Sequence, residues 1–259
     1  MTFARSGLLR RSELLATLVA CLLATSTMLA QEGTWTVSAG GGMNLLQASN
    51  VNATLDRTVE RWNNIEYIPI GPFEHFSRAP ALTAKAIYRF ERDMAFEAGF
   101  LYFDTKVTNE YRGDRVYLSL ERTLGATEIQ FGLSYFFPPL LFGIETYASV
   151  DLGYLFARAN ANTYSTKTAK LSGTEDSTYA FYDTQAEFAK RKLVLNVGAG
   201  ATAPITRMFI VRAECFYKYA PLGQMDGEIR RLVGTSTEPS ATEFDFSMFT
   251  LSLGVGITF

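Results

Sequence analysis

Reactive side chains are scarce in this 259-residue chain, which holds two cysteines and one histidine. Cys21 lies within the first thirty residues, and Cys215 stands alone after them, so no intrachain disulfide is expected in the folded part. No zinc ligand set, phosphate loop or nucleotide fingerprint is present. The run Gly40-Gly41-Gly42 sits inside a strand pattern rather than before a helix. Beyond the first thirty residues no stretch holds eighteen uninterrupted apolar residues, so no membrane-spanning helix is expected. A net charge of −2 gives no reason to invoke nucleic acid.

Residues 1–30 read apart from the fold. Arg5, Arg10 and Arg11 make a positive start, and 14–24 is an apolar run too short to span a bilayer. Small residues then lead to Ala30-Gln31, the pattern of a cleaved export signal that leaves 31–259 as one domain. Met28 is a poor residue at the third position before that cut. Leu18-Val19-Ala20-Cys21 also matches a lipoprotein box, in which Cys21 would be acylated. Against this, Leu22, Leu23 and Ala24 continue the apolar run where such leaders turn polar. The segment carries three of the 24 basic residues and one of the 26 acidic ones, so −4 remains after it.

What fills the rest is alternation. In a strand successive side chains face opposite ways, so period two marks one apolar and one polar face. The closing stretch 247–259 shows it most clearly: Phe249, Leu251, Leu253, Val255, Ile257 and Phe259 alternate with Thr250, Ser252, Gly254, Gly256 and Thr258. The same pattern recurs at 34–45, 80–90, 94–105, 126–137, 144–156, 191–203 and 208–219, which makes eight strands in all. Connections alternate in length: 47–79, 157–189 and 220–245 are long, 106–125 is middling, and 91–93, 138–143 and 204–207 are short. Within the middling one, Val116, Leu118 and Leu120 alternate on even positions, whereas the strand after it uses odd ones. Either a β-bulge near Leu124-Gly125 joins the two, or 115–121 is loop.

The charges decide between a soluble sandwich and a membrane barrel. One face of strands two to seven holds Lys85, Arg89, Lys192, Arg212 and Lys218 with Glu97, Glu128, Glu145, Asp151 and Glu214, and the other face carries none of these ten. A soluble sandwich has little reason to keep one face nearly charge-free over eight strands while filling its wet face with glycine. In lipid every backbone group must be paired, and a closed barrel does this without an exposed edge. An all-β, closed, antiparallel up-and-down transmembrane β-barrel of eight strands is therefore expected, with short periplasmic turns and long outer loops. Tyr88, Phe90, Phe96, Tyr102, Tyr135, Phe137, Tyr154, Phe156 and Tyr217 near strand ends suit two interfacial girdles.

In pattern, 34–259 resembles the small eight-stranded barrel superfamily typified by the transmembrane domain of outer membrane protein A. The resemblance implies an outer-membrane location in a Gram-negative-type bacterium, with lipid and lipopolysaccharide as surroundings and a monomeric state. It also implies that the barrel assembly machinery reads the alternating residues that end on Phe259. No further periplasmic domain is expected after Phe259, and no cofactor or metal is implied.

An eight-stranded interior is just wide enough for side chains to fill. Five acids facing five bases therefore suggest a paired polar plug, and a narrow channel lined by the same residues is the alternative. Arg89 and Glu97 are expected at equivalent heights across the 91–93 turn, and Arg212 and Glu214 opposite Gly200 and Gly198. An enzyme would have to centre on His75, with Asp56, Glu74 and Ser77 nearby, because some small outer-membrane barrels modify lipid A with such groups. Here the histidine lies in a loop stretch without a strand-borne His-Ser pair, and Cys215 faces lipid as an inert apolar residue. A non-enzymatic envelope protein is the expectation.

Overall fold

The computed structural model describes residues 33–64, 68–113, 116–140, 143–169, 177–231, 234–240 and 242–259. The expected leader, including Cys21, lies outside them. The long strands are β1 (Thr34–Leu46), β2 (Arg78–Arg89), β3 (Met94–Arg112), β4 (Val116–Phe136), β5 (Glu145–Ala169), β6 (Ser177–Pro204), β7 (Phe209–Tyr219) and β12 (Met248–Thr258). Shorter pieces lie between the last two: β8 (Pro221–Gly223), β9 (Asp226–Arg231), β10 (Gly234–Pro239) and β11 (Phe244–Asp245).

Each long strand pairs antiparallel with its neighbour from β1 through β7. The ring then closes as β7 pairs with β12 and β12 with β1. Closure joins the two ends of the described chain, with Thr36 opposite Thr258 and Leu46 opposite Met248. Eight strands thus form a ring with no free edge in its membrane half. The apolar face points outward: Leu82, Phe131, Leu152, Leu193, Leu253 and Val255 are all exposed. Aromatic pairs sit along this exterior, among them Trp35–Tyr88 at 4.9 Å, Tyr135–Phe137 at 5.3 Å and Tyr154–Phe156 at 4.8 Å between ring centroids.

Above the membrane half, the longer connections are largely built. β3 and β4 stay paired from Met94 opposite Tyr135 to Arg112 opposite Tyr117 without a register shift, so the expected bulge at Leu124-Gly125 is absent. The β5–β6 ladder shifts register instead, where Ser165 lies opposite Tyr182 and Thr166 opposite Ala180. Leu118 and Leu120 point to the same side as Glu128, into the barrel, and both are fully buried. The face exchange that suggested a bulge is a change of surroundings. Where the exterior leaves lipid and meets water, the apolar side chains turn inward, and Ser119 and Glu121 take the outside.

Likewise, 157–189 is mostly strand rather than loop, because β5 and β6 remain paired as far as Ala169 opposite Ser177. Among its described residues, the region 220–245 holds four short strands. β9 takes the edge of β6 that β7 has left, pairing from Ala189 opposite Asp226 to Thr184 opposite Arg231, and β10 pairs with β9. Together these strands make a crown of sheet beyond the membrane.

The first long connection contains helix α1 (Ser49–Asn64). Val51, Leu55 and Trp62 are buried and Val59 partly so, a spacing of four, four and three that lines one helical face. Two asparagines fasten the returning chain to it. Asn52 exchanges two hydrogen bonds with the backbone of Phe76 at 2.8 and 3.1 Å, and Asn63 does the same with Ile70 at 2.7 and 3.2 Å. Under this cover lies an apolar core of Phe76, Phe103, Leu118, Leu120, Met225 and Phe246, among others, which fills the crown end of the barrel. Truncating Leu55 to alanine should cost about 2–5 kcal/mol of local stability. The expected result is faster proteolysis within 47–77, while the heat-sensitive gel shift of the folded barrel persists.

Candidate functional site

The charged inward residues form three groups stacked along the barrel axis. At the turn end, Arg89 on β2 reaches Glu145 on β5 with two hydrogen bonds of 2.8 and 3.2 Å, and its guanidinium lies 4.0 Å from the Phe136 ring centroid. This bidentate geometry matches the planar fork of arginine to a carboxylate. The expected Arg89–Glu97 pairing is not made. Glu97 lies opposite Ile87 and Arg89 opposite Ala95, one step nearer the turn.

Glu97 belongs to the middle group. Lys85 Nζ donates to Glu97 Oε2 at 2.9 Å and to Glu214 Oε1 at 2.8 Å. Arg212 Nη2 donates to Glu97 Oε1 at 3.1 Å and to Glu214 Oε1 at 2.8 Å. Tyr147 closes the circuit: its hydroxyl accepts from Arg212 Nε at 2.7 Å and donates to Glu214 Oε1 at 2.9 Å. Ser134 donates to Glu97 as well. Asp151 Oδ2 stands 3.9 Å from Lys85 Nζ, so three acids face two bases at this level. Asp151 Oδ1, Gln130 Nε2 and Arg212 Nη1 find no partner among the described residues, which leaves the group with spare hydrogen-bonding capacity.

The third group adjoins the apolar core. Glu128 and Lys218 pair with both side chains fully buried, and Asn196 Nδ2 donates to Glu128 Oε1 at 2.7 Å. Among the described residues no carboxylate pairs with Lys192, which donates to the Pro221 carbonyl, while Lys190 donates to the carbonyls of Leu222 and Gln224 at 2.7 and 2.6 Å. These two lysines fasten β8 over the barrel mouth.

Glycine on the inward face gives these long side chains their room. A Cβ at Gly153 would collide with the Glu128 carboxylate, and one at Gly200 with the Tyr147 hydroxyl. Register places Glu214 opposite Gly200 and Arg212 opposite Thr202, one pair away from the arrangement expected from sequence. Tyr147 and Phe136 are the members that the charge pattern does not name, while Ser134 joins from the small polar face of β4. Tyr147 was legible by parity, since it shares the inward side of β5 with Ser149 and Asp151.

Free space follows the same division. A vestibule of 290 Å³ opens at the turn end between Arg89, Glu145, Phe136, Ile210 and Thr258. Beside Lys85, Arg212 and Glu214 the space shrinks to 10 Å³, about the volume one water needs. His75 lies far from all this, on the exposed cover of the crown, with its Nε2 2.9 Å from Asp56 Oδ1. Among the described residues no serine hydroxyl bonds to it, and no His/Cys/Asp/Glu cluster could hold a metal.

No family model matches the sequence, and no curated protein matches it. Solved structures do match in shape. The outer membrane protein OprG of Pseudomonas aeruginosa aligns over 88% of this chain and 96% of its own, with a TM-score of 0.50 at 10% identity. A major outer membrane protein of Thermus thermophilus aligns over 88% of this chain and all of its own, with a TM-score of 0.51 at 11% identity. The fold is that of the small outer-membrane β-barrels. At such identities the likeness extends to the fold alone. The barrel's exterior adds the physical reason, because a charge-free apolar belt flanked by aromatic rings fits a bilayer and little else.

Proposed function

We propose that this outer-membrane barrel is a closed, non-enzymatic envelope protein whose membrane half anchors the crown as a surface for contact. The observation that carries this reading is the filled lumen. The Arg89–Glu145 pair, the charge network around Lys85, the buried Glu128–Lys218 pair and an apolar core follow one another from the turn end to the crown. A conducting path would need an open file of water, and the side chains occupy that file. The short turns face the periplasm and the crown faces outward, as the alternation of connection lengths favours.

On this reading the barrel is a monomer surrounded by outer-membrane lipid and lipopolysaccharide. It takes no cofactor and binds no nucleic acid, and the assembly machinery reads its closing strand, 248–259. His75 and Asp56 then serve the crown as an exposed polar pair. Planar-bilayer recording of the refolded protein tests the proposal. Silence is the expected outcome, and a steady open channel would replace it with the narrow-pore reading.

A further inference from the structure

The wall of the ring is notched on the crown side of β6. β7 stays paired with β6 only as far as Tyr219 opposite Leu195, and β9 takes up that edge only from Asp226 opposite Ala189. Between these two rungs no described strand pairs with 190–194 on that side. Backbone bonds alternate sides along an antiparallel strand, and the Ile205 N–H donates to the Phe209 carbonyl across the β6–β7 turn at 2.8 Å. By that alternation the N–H groups of Arg191 and Leu193 face the notch. Both side chains are open to the outside, Leu193 with 70% of its surface exposed. Charge around the notch is sorted by height. Arg191 lies 5.5 Å from the Phe156 ring centroid and, like Lys190 and Lys192 behind it, pairs with no carboxylate among the described residues. Arg158, across from Ala189, is turned away to Asp104. One rung farther out Asp226 is exposed, and Glu187 opposite Glu228 follows. The arginines of β9 are taken by Glu228 and Glu238, so Asp226 has no ion pair among the described residues.

We infer that the notch holds the headgroup of one phosphatidylethanolamine, with its phosphate at Arg191 and its ammonium at Asp226. The inference rests on the membrane placement proposed above. In a bilayer a backbone N–H needs an acceptor, and at the height of the aromatic girdle the acceptors are headgroup oxygens. A phosphate there meets the planar fork of the Arg191 guanidinium and the strand-edge N–H groups together. The two lysines behind the strand add positive charge to the same place. The Arg191 and Ala189 rungs lie two residues, about 7 Å, apart along β6. An ethanolamine link makes that step outward, from phosphate to nitrogen, and the notch offers its cation and its acid in the same order. A headgroup with phosphate alone would meet the carboxylates of Asp226 and Glu187 unbalanced.

The refolded full chain in a neutral detergent is mixed with phosphatidylethanolamine, phosphatidylglycerol or lipid A. Native mass spectrometry then counts the lipids retained per barrel as collision energy rises. One phosphatidylethanolamine is expected to stay after the rest of the lipid shell has left. Arg191→Gln and Asp226→Asn should each weaken its binding about tenfold, the worth of one charge-assisted contact. Arg78→Gln removes an exposed cation on β2, away from the notch, and should leave binding unchanged. Retained gel shift on heating confirms that each variant is folded. A lipid shell from which no single lipid is retained, or equal retention in all these chains, would overturn the inference. Tighter retention of phosphatidylglycerol or lipid A, improved by Asp226→Asn, would overturn it too and give the notch to a bare phosphate. Absence of any lipid shell would instead sink the membrane placement, and the site with it.

Discussion

Lys218→Met is expected to weaken the barrel by about 3–5 kcal/mol, the cost of leaving a buried charge without its partner. Neither side chain of the Glu128–Lys218 pair has any exposed surface, and Asn196 supplies one hydrogen bond to the carboxylate that would remain. The double variant Lys218→Met with Glu128→Leu should recover most of the loss. Replacing a buried ion pair by apolar groups of similar size is often neutral or favourable, and the apolar core lies directly beside this site. Glu97→Gln should be much milder. It removes one of three acids from the middle group, so Glu214 and Asp151 still face Lys85 and Arg212. Urea-dependent folding into vesicles, read by the gel shift of folded barrels, measures all three. A neutral Lys218→Met, or a double variant as weak as the single one, would show that the pair is not isolated from water.

A second large effect is expected on the opposite face. Val150→Arg, Leu195→Arg and Leu253→Arg each place a cation mid-strand on the apolar exterior, where the native side chains are 53%, 43% and 63% exposed. At a bilayer midplane such a change costs about 2–4 kcal/mol, with less toward the interfaces. Thr108→Arg points outward too, but from the crown part of β3, where the exterior meets water. Its effect should stay within about 0.5 kcal/mol. The same folding assay separates the two sets. If Thr108→Arg proved as harmful as the mid-strand changes, the boundary between lipid and water would be drawn at the wrong height.

That boundary explains what the sequence could and could not disclose. Period two reported the strands that cross the membrane, because lipid and lumen impose opposite demands on alternate residues. The faces of Leu251, Leu253 and Val255 on one side, and of Lys85, Asp151 and Arg212 on the other, followed directly. Beyond the membrane the same strands obey the inverse rule. Leu118 and Leu120 therefore looked like a register slip, when the strand continues unbroken. Helix α1 did carry a signal, in Val51, Leu55, Val59 and Trp62, but abundant asparagine around it suggested loop. Asn52 and Asn63 are instead the clamps that hold the cover down. Charge partners were the least legible part. Parity says which side chains enter the lumen, but heights depend on register across several strands, so Arg89 was matched to Glu97 although it meets Glu145.

The pairing of β1 with β12 also sets a clock. Thr36 meets Thr258 across 222 positions of chain, so the ring can shut after almost all of it has been made and delivered. Contacts of such sequence separation are slow to form, because the loop they close must first be ordered without reward. Until then β1 and β12 each present an unpaired edge, an open template for joining other chains. Whatever escorts the polypeptide to its membrane must therefore shield two strand edges for the whole waiting time. Stability of the finished barrel gives no protection during that interval, so failures of this protein should arise as aggregation in transit and not as unfolding in place.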